Sequence, residues 1–301
     1  MDMTTLEKRI PRIGRHCQRT LARGFSLIEL LIVTAVLMVV LGGIVQYIAV
    51  ASQRSKIEST KVDLSQEARE FVDEFERDIH QAGYPNCRQF NNAALCPNAA
   101  TYPDKRIAAG LVSVSSTRII FEGDVDGDGN VDSVQYRLVD SNLNPLTAGS
   151  TCPCTIQRSQ VVKVDGSPLA QGTSFSQELN NVVNSGNPAP GTVYGGGLSI
   201  SGTALFRGGT VTNDAYYAAV STFKDYPVFS AYDQTGAPVP LPQDISTAGG
   251  QAILQCPPNS ISCIKSIRIT INVLGSGTTG YDTKTFVRPV VTLVGTGRID
   301  N

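Results

Sequence analysis

Histidine is nearly absent from this chain, which has two in 301 residues, His16 and His80. His16 lies in a basic N-terminal segment, so the rest of the chain has a single histidine, His80. A zinc site is therefore disfavoured. The sequence also lacks a phosphate-binding glycine loop, an HExxH pair and a nucleophile elbow. A Ser-His-Asp triad would have to use His80, near the predicted end of a helix, where a positive charge is favoured. The sequence therefore predicts that this protein is not an enzyme.

Net charge is also nearly absent, at −1 for the whole chain, but its distribution is uneven. Residues 1–24 carry a net charge of +4, which leaves −5 for the remainder. The basic residues are Lys8, Arg9, Arg12, Arg15, Arg19 and Arg23. A nucleic-acid patch is the alternative for such a run. Because the run directly abuts an apolar segment, a cytoplasmic membrane flank fits it better, and no nucleic-acid partner is predicted.

One uncharged run organises the sequence, since no charged residue occurs from Leu30 to Gln53. A helix of about 20 apolar residues crosses the bilayer core and satisfies its own backbone in lipid. The sequence thus predicts a membrane span at about residues 27–51, with the C-terminal bulk outside the cytoplasm. Glu29 lies just inside the N-terminal end of the predicted span, where an ionised carboxylate is costly and usually paired. Alternatively, Glu29 reaches the lipid headgroups from near the helix end.

Residues 24–29, Gly-Phe-Ser-Leu-Ile-Glu, join the basic leader to the apolar helix and resemble the processing site of type IV pilins and pseudopilins. The resemblance implies that a prepilin peptidase cuts after Gly24, removes residues 1–24 and N-methylates Phe25. It also implies that Glu29 pairs with the N-terminus of a neighbouring subunit, which would repay part of the cost of burying both charges. Residues 67–85 resemble the helix end of PilW-like minor pilins.

After Gln53, apolar residues recur mostly three or four positions apart and charged residues fill the gaps, which predicts an amphipathic continuation of the helix. The apolar positions are Ile57, Leu64, Ala68, Phe71, Phe75 and Ile79. The helix should end near Ala82, with Gly83 just past its end. We therefore predict one long helix over residues 25–83. A free coiled coil is less favoured, because the repeat is short and a β-rich region follows.

From Cys87 onward the pattern changes to alternating strands and loops. Candidate strands cover residues 111–121, 134–139, 161–164, 222–231, 264–273 and 285–294. Residues 180–206 carry no charge and are rich in Gly, Asn and Ser, which predicts a long, adaptable loop or a weakly structured insertion. The predicted fold class is α+β, in which the long transmembrane and amphipathic helix packs on an antiparallel β-sheet head formed by residues 84–301, as in pilins.

Six cysteines follow residue 24, and an even count in an exported protein predicts disulfides. They are Cys87, Cys96, Cys152, Cys154, Cys256 and Cys263. We predict the pairs Cys87–Cys96 and Cys256–Cys263, each of which would close a short loop. A bridge between Cys152 and Cys154 would be strained, which leaves redox or metal chemistry open for that pair.

Oxygen-bearing side chains alternate along residues 124–132, and Gly129 stands where a tight turn is needed. The candidate ligands are Asp124, Asp126, Asp128, Asn130 and Asp132. This spacing resembles the first nine positions of an EF-hand loop, and Ca²⁺ takes about six to eight oxygen ligands. The loop departs from that pattern at Gln135, where the EF-hand has glutamate, and in its predicted flanking strands.

Four crowded carboxylates without a nearby Lys or Arg repel one another, so the sequence favours a calcium site on a hairpin. The alternative is a solvated Asp-Gly turn. No other cofactor is required.

These features predict a structural protein, a PilW-like minor type IV pilin that initiates or caps pilus assembly. It would insert in the inner membrane by one span, with its N-terminus cytoplasmic before cleavage, and then enter a pilus in the periplasm and at the cell surface. The implied partners are the prepilin peptidase, other major and minor pilins through the helix, and inner-membrane lipid. The alternatives are a J-like pseudopilin of type II secretion, or a pilin-anchored calcium-dependent adhesin.

Overall fold

The computed structural model describes residues 26–86, 89, 104–140, 142–146, 151–152, 154–166, 168, 174–184, 199–200, 227–254, 263–275 and 290–299. The chain divides into two compact units, one that ends at Ala51 and one that begins at Ser52. Residues 1–25, which include Gly24 and Phe25, lie outside the described residues, and so do Cys87, Cys96, Cys256 and most of the loop predicted at residues 180–206.

A single helix, α1 (Leu27–His80), covers both the apolar run and its amphipathic continuation. It ends two residues before the predicted Ala82, because a tighter turn follows in which the Ala82 N–H bonds the carbonyl of Ile79 at 3.1 Å. Gly83 then takes a positive φ of 86°, a conformation that glycine adopts at little cost. The sequence therefore predicted the end of the helix to within one turn.

The second half of α1 buries one face, as its periodicity predicts. The buried residues are Leu64, Ala68, Phe71, Val72, Phe75, Asp78 and Ile79. Ile57, which the pattern also placed on this face, is only half-buried. Asp78 is the one charged residue among these buried side chains. A buried carboxylate needs hydrogen-bond or ion-pair partners.

The head is an antiparallel sheet that holds ten strands among the described residues. The strands are β1 (Gly110–Val114), β2 (Arg118–Gly123), β3 (Asp132–Val139), β5 (Cys154–Val162), β6 (Ser176–Val182), β8 (Phe229–Asp233), β9 (Pro238–Val239), β10 (Gln243–Asp244), β11 (Ile264–Leu274) and β12 (Val290–Arg298). Strands β4 (Thr151–Cys152) and β7 (Ser199–Ile200) form a separate parallel pair, and a short helix α2 (Ala248–Leu254) precedes β11. The α+β class is therefore confirmed.

The sheet runs in the order β10-β1-β2-β3-β5-β6-β11-β8-β9, and β12 also pairs with β11. Strand β11 pairs with β12 from Ser266 to Leu274, with β8 from Ile264 to Ile269, and with β6 at Val273. Its inward positions are the alternating isoleucines, which are buried, while Arg268 between them is exposed. The alternation read from the sequence thus predicted both the strand and its buried face.

Several sheet predictions were wrong in detail. The strand predicted at residues 161–164 overlaps only the last two residues of β5 (Cys154–Val162). Residues 111–121 were predicted as one strand, but β1 and β2 are separated by a turn in which the Arg118 N–H donates to the Ser115 hydroxyl at 2.9 Å. Serine hydroxyls form such local turns in competition with sheet pairing. Strand β6 was missed because its sequence, SQELNNV, is polar and has no strong strand signal.

Helix α1 and strand β12 approach each other closely where β12 carries glycine. A Cβ atom on Gly297 would lie 2.7 Å from Cγ2 of Ile79, and one on Gly295 would also collide with side chains of the helix. Between these glycines, the backbone N–H of Thr296 donates to Oε1 of Glu76 at 2.7 Å. The glycines are required at these positions because any side chain there would collide with the side chains of the helix.

A buried polar network ties α1 to the sheet. The Tyr136 hydroxyl donates to Asp78 Oδ2 at 2.6 Å, and Arg158 Nη2 lies 2.8 Å from the same oxygen. Phe71 and Phe75 pack edge-on against the Tyr136 ring, with centroids at 5.9 and 5.3 Å. Burial raises the pKa of Tyr136, and the charge of Asp78 raises it further. Tyr136 therefore acts as a neutral hydrogen-bond donor to Asp78.

A second ion pair is completely buried on the sheet. Lys163 Nζ lies 2.6 Å from Glu122 Oε2 and 2.7 Å from the carbonyl oxygen of Ile107, and neither side chain is exposed. The same Glu122 oxygen accepts the N–H of Ala109 at 2.9 Å. Burial raises the pKa of Glu122, while the charge and hydrogen bond of Lys163 lower it. The pair thus holds residues 107–109 against the strands.

Candidate functional site

The first turn of α1 carries the acidic residue that the sequence singled out. The carbonyl of Ser26 accepts hydrogen bonds from the N–H groups of Glu29 at 3.0 Å and Leu30 at 3.1 Å, which starts the helix. Glu29 is exposed and lies in that first turn, where the helix dipole favours a negative charge. Its carboxylate is therefore accessible to a partner outside this chain.

The apolar half of α1 is exposed along its whole length. Large side chains on all sides of the helix are uncovered, for example Leu27 at 81%, Met38 at 74%, Val39 at 78% and Tyr47 at 75% exposure. A soluble monomer rarely exposes more than a few hundred Å² of contiguous apolar surface. The helix is long and apolar enough to cross a membrane, and its most hydrophobic window has a mean hydropathy of 2.7. These properties fit a membrane anchor.

The acidic loop joins β2 to β3 and is closed by the pairing of Gly123 with Asp132. Within it, Asp124 folds the chain, because its Oδ1 accepts the N–H of Gly127 at 2.9 Å and its Oδ2 that of Gly129 at 3.2 Å. Gly127 and Gly129 have φ angles of +76° and +87°, which other residues rarely adopt. The predicted hairpin context and the turn at Gly129 are therefore confirmed.

The loop brings together three of the predicted calcium ligands. One carboxylate oxygen from each of Asp124, Asp126 and Asp128 lies within 4.8 Å of the others. Two oxygens on opposite sides of one Ca²⁺ are about 4.8 Å apart, since each Ca–O distance is about 2.4 Å. Asn130 donates from Nδ2 to Asp128 Oδ2 at 2.9 Å, and this hydrogen bond lowers the pKa of Asp128. The residue types and spacing of this cluster fit a calcium ion.

Asp132, the fifth predicted ligand, lies at the base of the loop and is buried, with 2% exposure. Burial and the charge of Asp126 raise the pKa of Asp132 to about 6. Gln160 on β5 bridges the two carboxylates, because its Nε2 lies 3.0 Å from Asp132 Oδ2 and 3.3 Å from Asp126 Oδ2. Gln160 also accepts a hydrogen bond from Arg158 Nη2 at 2.9 Å, so the loop is linked to the network around Asp78.

Gln160 was not found from the sequence. It is 28 residues from Asp132, and only the pairing of β3 with β5 brings them together. Alternation along β5 indicates which residues lie on the same face of the strand as Gln160. It does not indicate which strand is the neighbour of β5.

Cys154 and Cys263 each take part in a disulfide. They are the only cysteines whose side chains fall in the described part of the structure. The predicted connectivities Cys87–Cys96 and Cys256–Cys263, and the open question of Cys152 with Cys154, therefore stay predictions.

Comparison with known proteins identifies the sequence motif at the start of α1. A family model described as the prokaryotic N-terminal methylation motif matches residues 19–45, a range that includes Gly24, Phe25 and Glu29. No curated protein and no solved structure shows significant similarity to the chain. The matched motif implies processing by a prepilin peptidase and assembly with other pilins. The exposed apolar helix and this motif together give the chain the N-terminal region of a type IV pilin-like prepilin.

Proposed function

We propose that this chain is a PilW-like minor type IV pilin that initiates or caps pilus assembly. It inserts in the inner membrane through α1, is cut after Gly24, and is N-methylated at Phe25. The helix then carries it into the filament together with other major and minor pilins. Its role is structural rather than enzymatic.

The observation that carries this proposal is the combination of an uncovered apolar helix with Glu29 in its first turn. A carboxylate in an apolar environment loses several kcal/mol of solvation, which a neighbouring ammonium partly restores. After cleavage, the new amine of Phe25 would lie about one helical turn from Glu29. Each subunit in the filament would therefore present a positive charge at Phe25 and a negative charge at Glu29. The two charges lie at about the same depth along the helix, where neighbouring subunits can pair with them.

The size of the head favours a minor subunit over the main one. The compact unit that carries the sheet extends from Ser52 to Asn301, and its sheet holds ten strands among the described residues. A bulky head packs poorly at every position along a fibre, but is accommodated at a tip. A J-like pseudopilin would have the same anchor and differs in the system that it serves.

The first prediction is that Glu29→Val abolishes assembly without abolishing processing. In a host strain that lacks this chain, the wild-type gene should restore pili, whereas Glu29→Val should restore few or none, because the charge partner of the neighbouring amine is lost. Intact mass and N-terminal sequencing should show that both proteins begin at N-methyl-Phe25. The readouts are pilus counts by electron microscopy and the mass of the membrane-extracted protein.

The matched control is Glu58→Val, which removes an exposed helical carboxylate whose one ion pair with the described residues, to Lys61, spans 3.5 Å. This variant should assemble normally. A chain that still begins at Met1 with the peptidase present would overturn the whole assignment. Normal pili together with a loss of type II secretion would instead favour the pseudopilin.

A second proposal concerns the acidic loop, which we assign to a calcium ion held by Asp124, Asp126, Asp128, Asn130 and Asp132. The clustered carboxylates support it, because Ca²⁺ would neutralise part of a repulsion that no Lys or Arg in the loop relieves. Bound calcium would rigidify the hairpin tip at the surface of the head. This site is the feature that favours a calcium-dependent surface-binding module as the alternative function.

Calcium at 100 times its dissociation constant should stabilise the full chain by about 2.7 kcal/mol. For a head of this size that corresponds to a rise in Tm of about 5–10 °C. Asp126→Asn combined with Asp128→Asn should abolish the rise, since it removes two anionic ligands. Differential scanning calorimetry of the detergent-solubilised protein in EGTA and in calcium measures both.

Asp233→Asn is the matched control. Asp233 also folds an exposed turn, because its Oδ1 accepts the N–H groups of Thr235 at 2.8 Å and Ala237 at 2.9 Å. It belongs to the β8–β9 hairpin, so its substitution should leave the calcium response intact. An equal Tm in EGTA and in calcium for the wild-type protein would leave the loop as a solvated turn.

A further inference from the structure

A cavity of about 410 Å³ lies beside the tip of the acidic loop. Its walls come from three segments, namely residues 105–106, residues 129–130 and residues 162–165. The acidic loop contributes only Gly129 and Asn130 to these walls, and none of its four aspartates. The cavity therefore lies beside the calcium cluster and shares only Asn130 with the proposed calcium ligands.

Hydrogen bonds fix the three walls relative to one another. The buried amine of Lys163 holds the carbonyl of Ile107 at 2.7 Å, and its backbone N–H donates to the carbonyl of Val131 at 2.7 Å. The N–H of Lys105 donates to Asp165 Oδ1 at 3.0 Å. Because these bonds join all three segments, the cavity is preformed and would cost little to organise on binding.

The lining combines apolar surface with charged groups of both signs. Val162 and Val164 are 57% and 58% exposed, although they are large apolar residues. The charged lining residues are three cations, Lys105, Arg106 and Lys163, and one carboxylate, Asp165. Asp104 holds Arg106 through bonds of 3.0 Å to Nε and 2.7 Å to Nη2, and Glu122 holds Lys163.

The ammonium of Lys105 forms no ion pair and no hydrogen bond with the described residues, and its side chain is exposed. We propose that this cavity binds a small organic anion, in which a carboxylate or phosphate group meets Lys105 and an apolar body covers Val162 and Val164. Small-molecule sites typically have this mixture of apolar wall and few charged groups.

Phenyl phosphate is a suitable probe because it joins an anionic group to a compact apolar ring. Isothermal titration calorimetry of the full-length protein in detergent micelles and calcium-free buffer should detect binding. Lys105→Gln should weaken it by about tenfold or more, since a hydrogen bond to a charged group is lost. Calcium-free buffer keeps this result independent of the calcium proposal.

Lys61→Gln serves as the control, because Lys61 is an exposed lysine on α1 whose one ion pair within the described part of the chain is a weak one to Glu58. It should bind phenyl phosphate as the wild-type protein does. Val164→Ser should weaken phenyl phosphate binding but leave inorganic phosphate binding unchanged, because only the ring contacts that wall. Circular dichroism should show each variant folded. No binding by the wild-type protein, or equal affinities for Lys105→Gln and Lys61→Gln, would overturn the proposal.

Discussion

Replacing Arg158 with methionine is expected to lower the free energy of unfolding by about 3–5 kcal/mol. Arg158 is the cation that faces Asp78, with Nη2 at 2.8 Å and Nε at 2.9 Å from the same carboxylate oxygen. Asp78 is 1% exposed, so the substitution leaves a buried charge with the Tyr136 hydroxyl as its remaining side-chain partner. An unpaired buried charge costs far more than the loss of a surface ion pair.

The same substitution removes the donor to Gln160, which holds Asp126 and Asp132 at the acidic loop. The effect should therefore reach beyond the contact between α1 and the sheet. Chemical denaturation of the full chain in detergent micelles, followed by circular dichroism, measures the stability. Tyrosine fluorescence offers a second probe, since the chain has no tryptophan.

Arg268→Met is the matched control for Arg158→Met. Arg268 is an exposed sheet arginine whose guanidinium carbon lies 4.6 Å from the centre of the Tyr232 ring. Its loss should cost about 1 kcal/mol or less. Adding Asp78→Asn to Arg158→Met should recover part of the stability, because the buried charge is gone. If Arg158→Met and Arg268→Met lower the free energy of unfolding by the same amount, Arg158 does not stabilise the buried charge of Asp78.

The sequence predicted the features of this fold that depend on neighbours along the chain. Periodicity placed Phe71, Phe75 and Ile79 on the buried face of α1, and the run of Asp and Gly residues placed a hairpin loop at residues 124–132. Both signals are local, because helix faces and tight turns are set by residues within a few positions of each other. The prepilin motif is local in the same sense, and the family comparison bears it out.

The features that could not be predicted join residues far apart in sequence. Asp78 meets Tyr136 and Arg158, which are 58 and 80 positions away, and Glu122 meets Lys163 at 41 positions. No periodicity encodes such pairs, because strand order and register decide them. Gly297 belongs to the same class, since the glycine is explained only by Ile79 on the facing helix.

Lys163→Met is expected to destabilise the protein by about 3–5 kcal/mol near pH 8, and by less near pH 5. The variant leaves Glu122 fully buried, and its Oε1 has no hydrogen-bond partner among the described residues even before the change. Burial raises the pKa of Glu122 above 4.5, and Lys163 opposes this, so the pKa rises further once the amine is gone. Denaturation of the variant and of the wild-type protein at both pH values gives the difference.

The sign of this pH dependence follows from proton linkage. A carboxyl whose pKa is higher in the folded than in the unfolded state binds protons more tightly when folded, so its contribution to stability falls as pH rises above about 4.5. The deficit of Lys163→Met should therefore grow between pH 5 and pH 8. In Glu122→Gln combined with Lys163→Met, no titrating group is left at the site, and the deficit should be the same at both pH values. If the loss of stability in Lys163→Met were also the same at both pH values, Glu122 would be accessible to water once the lysine is removed.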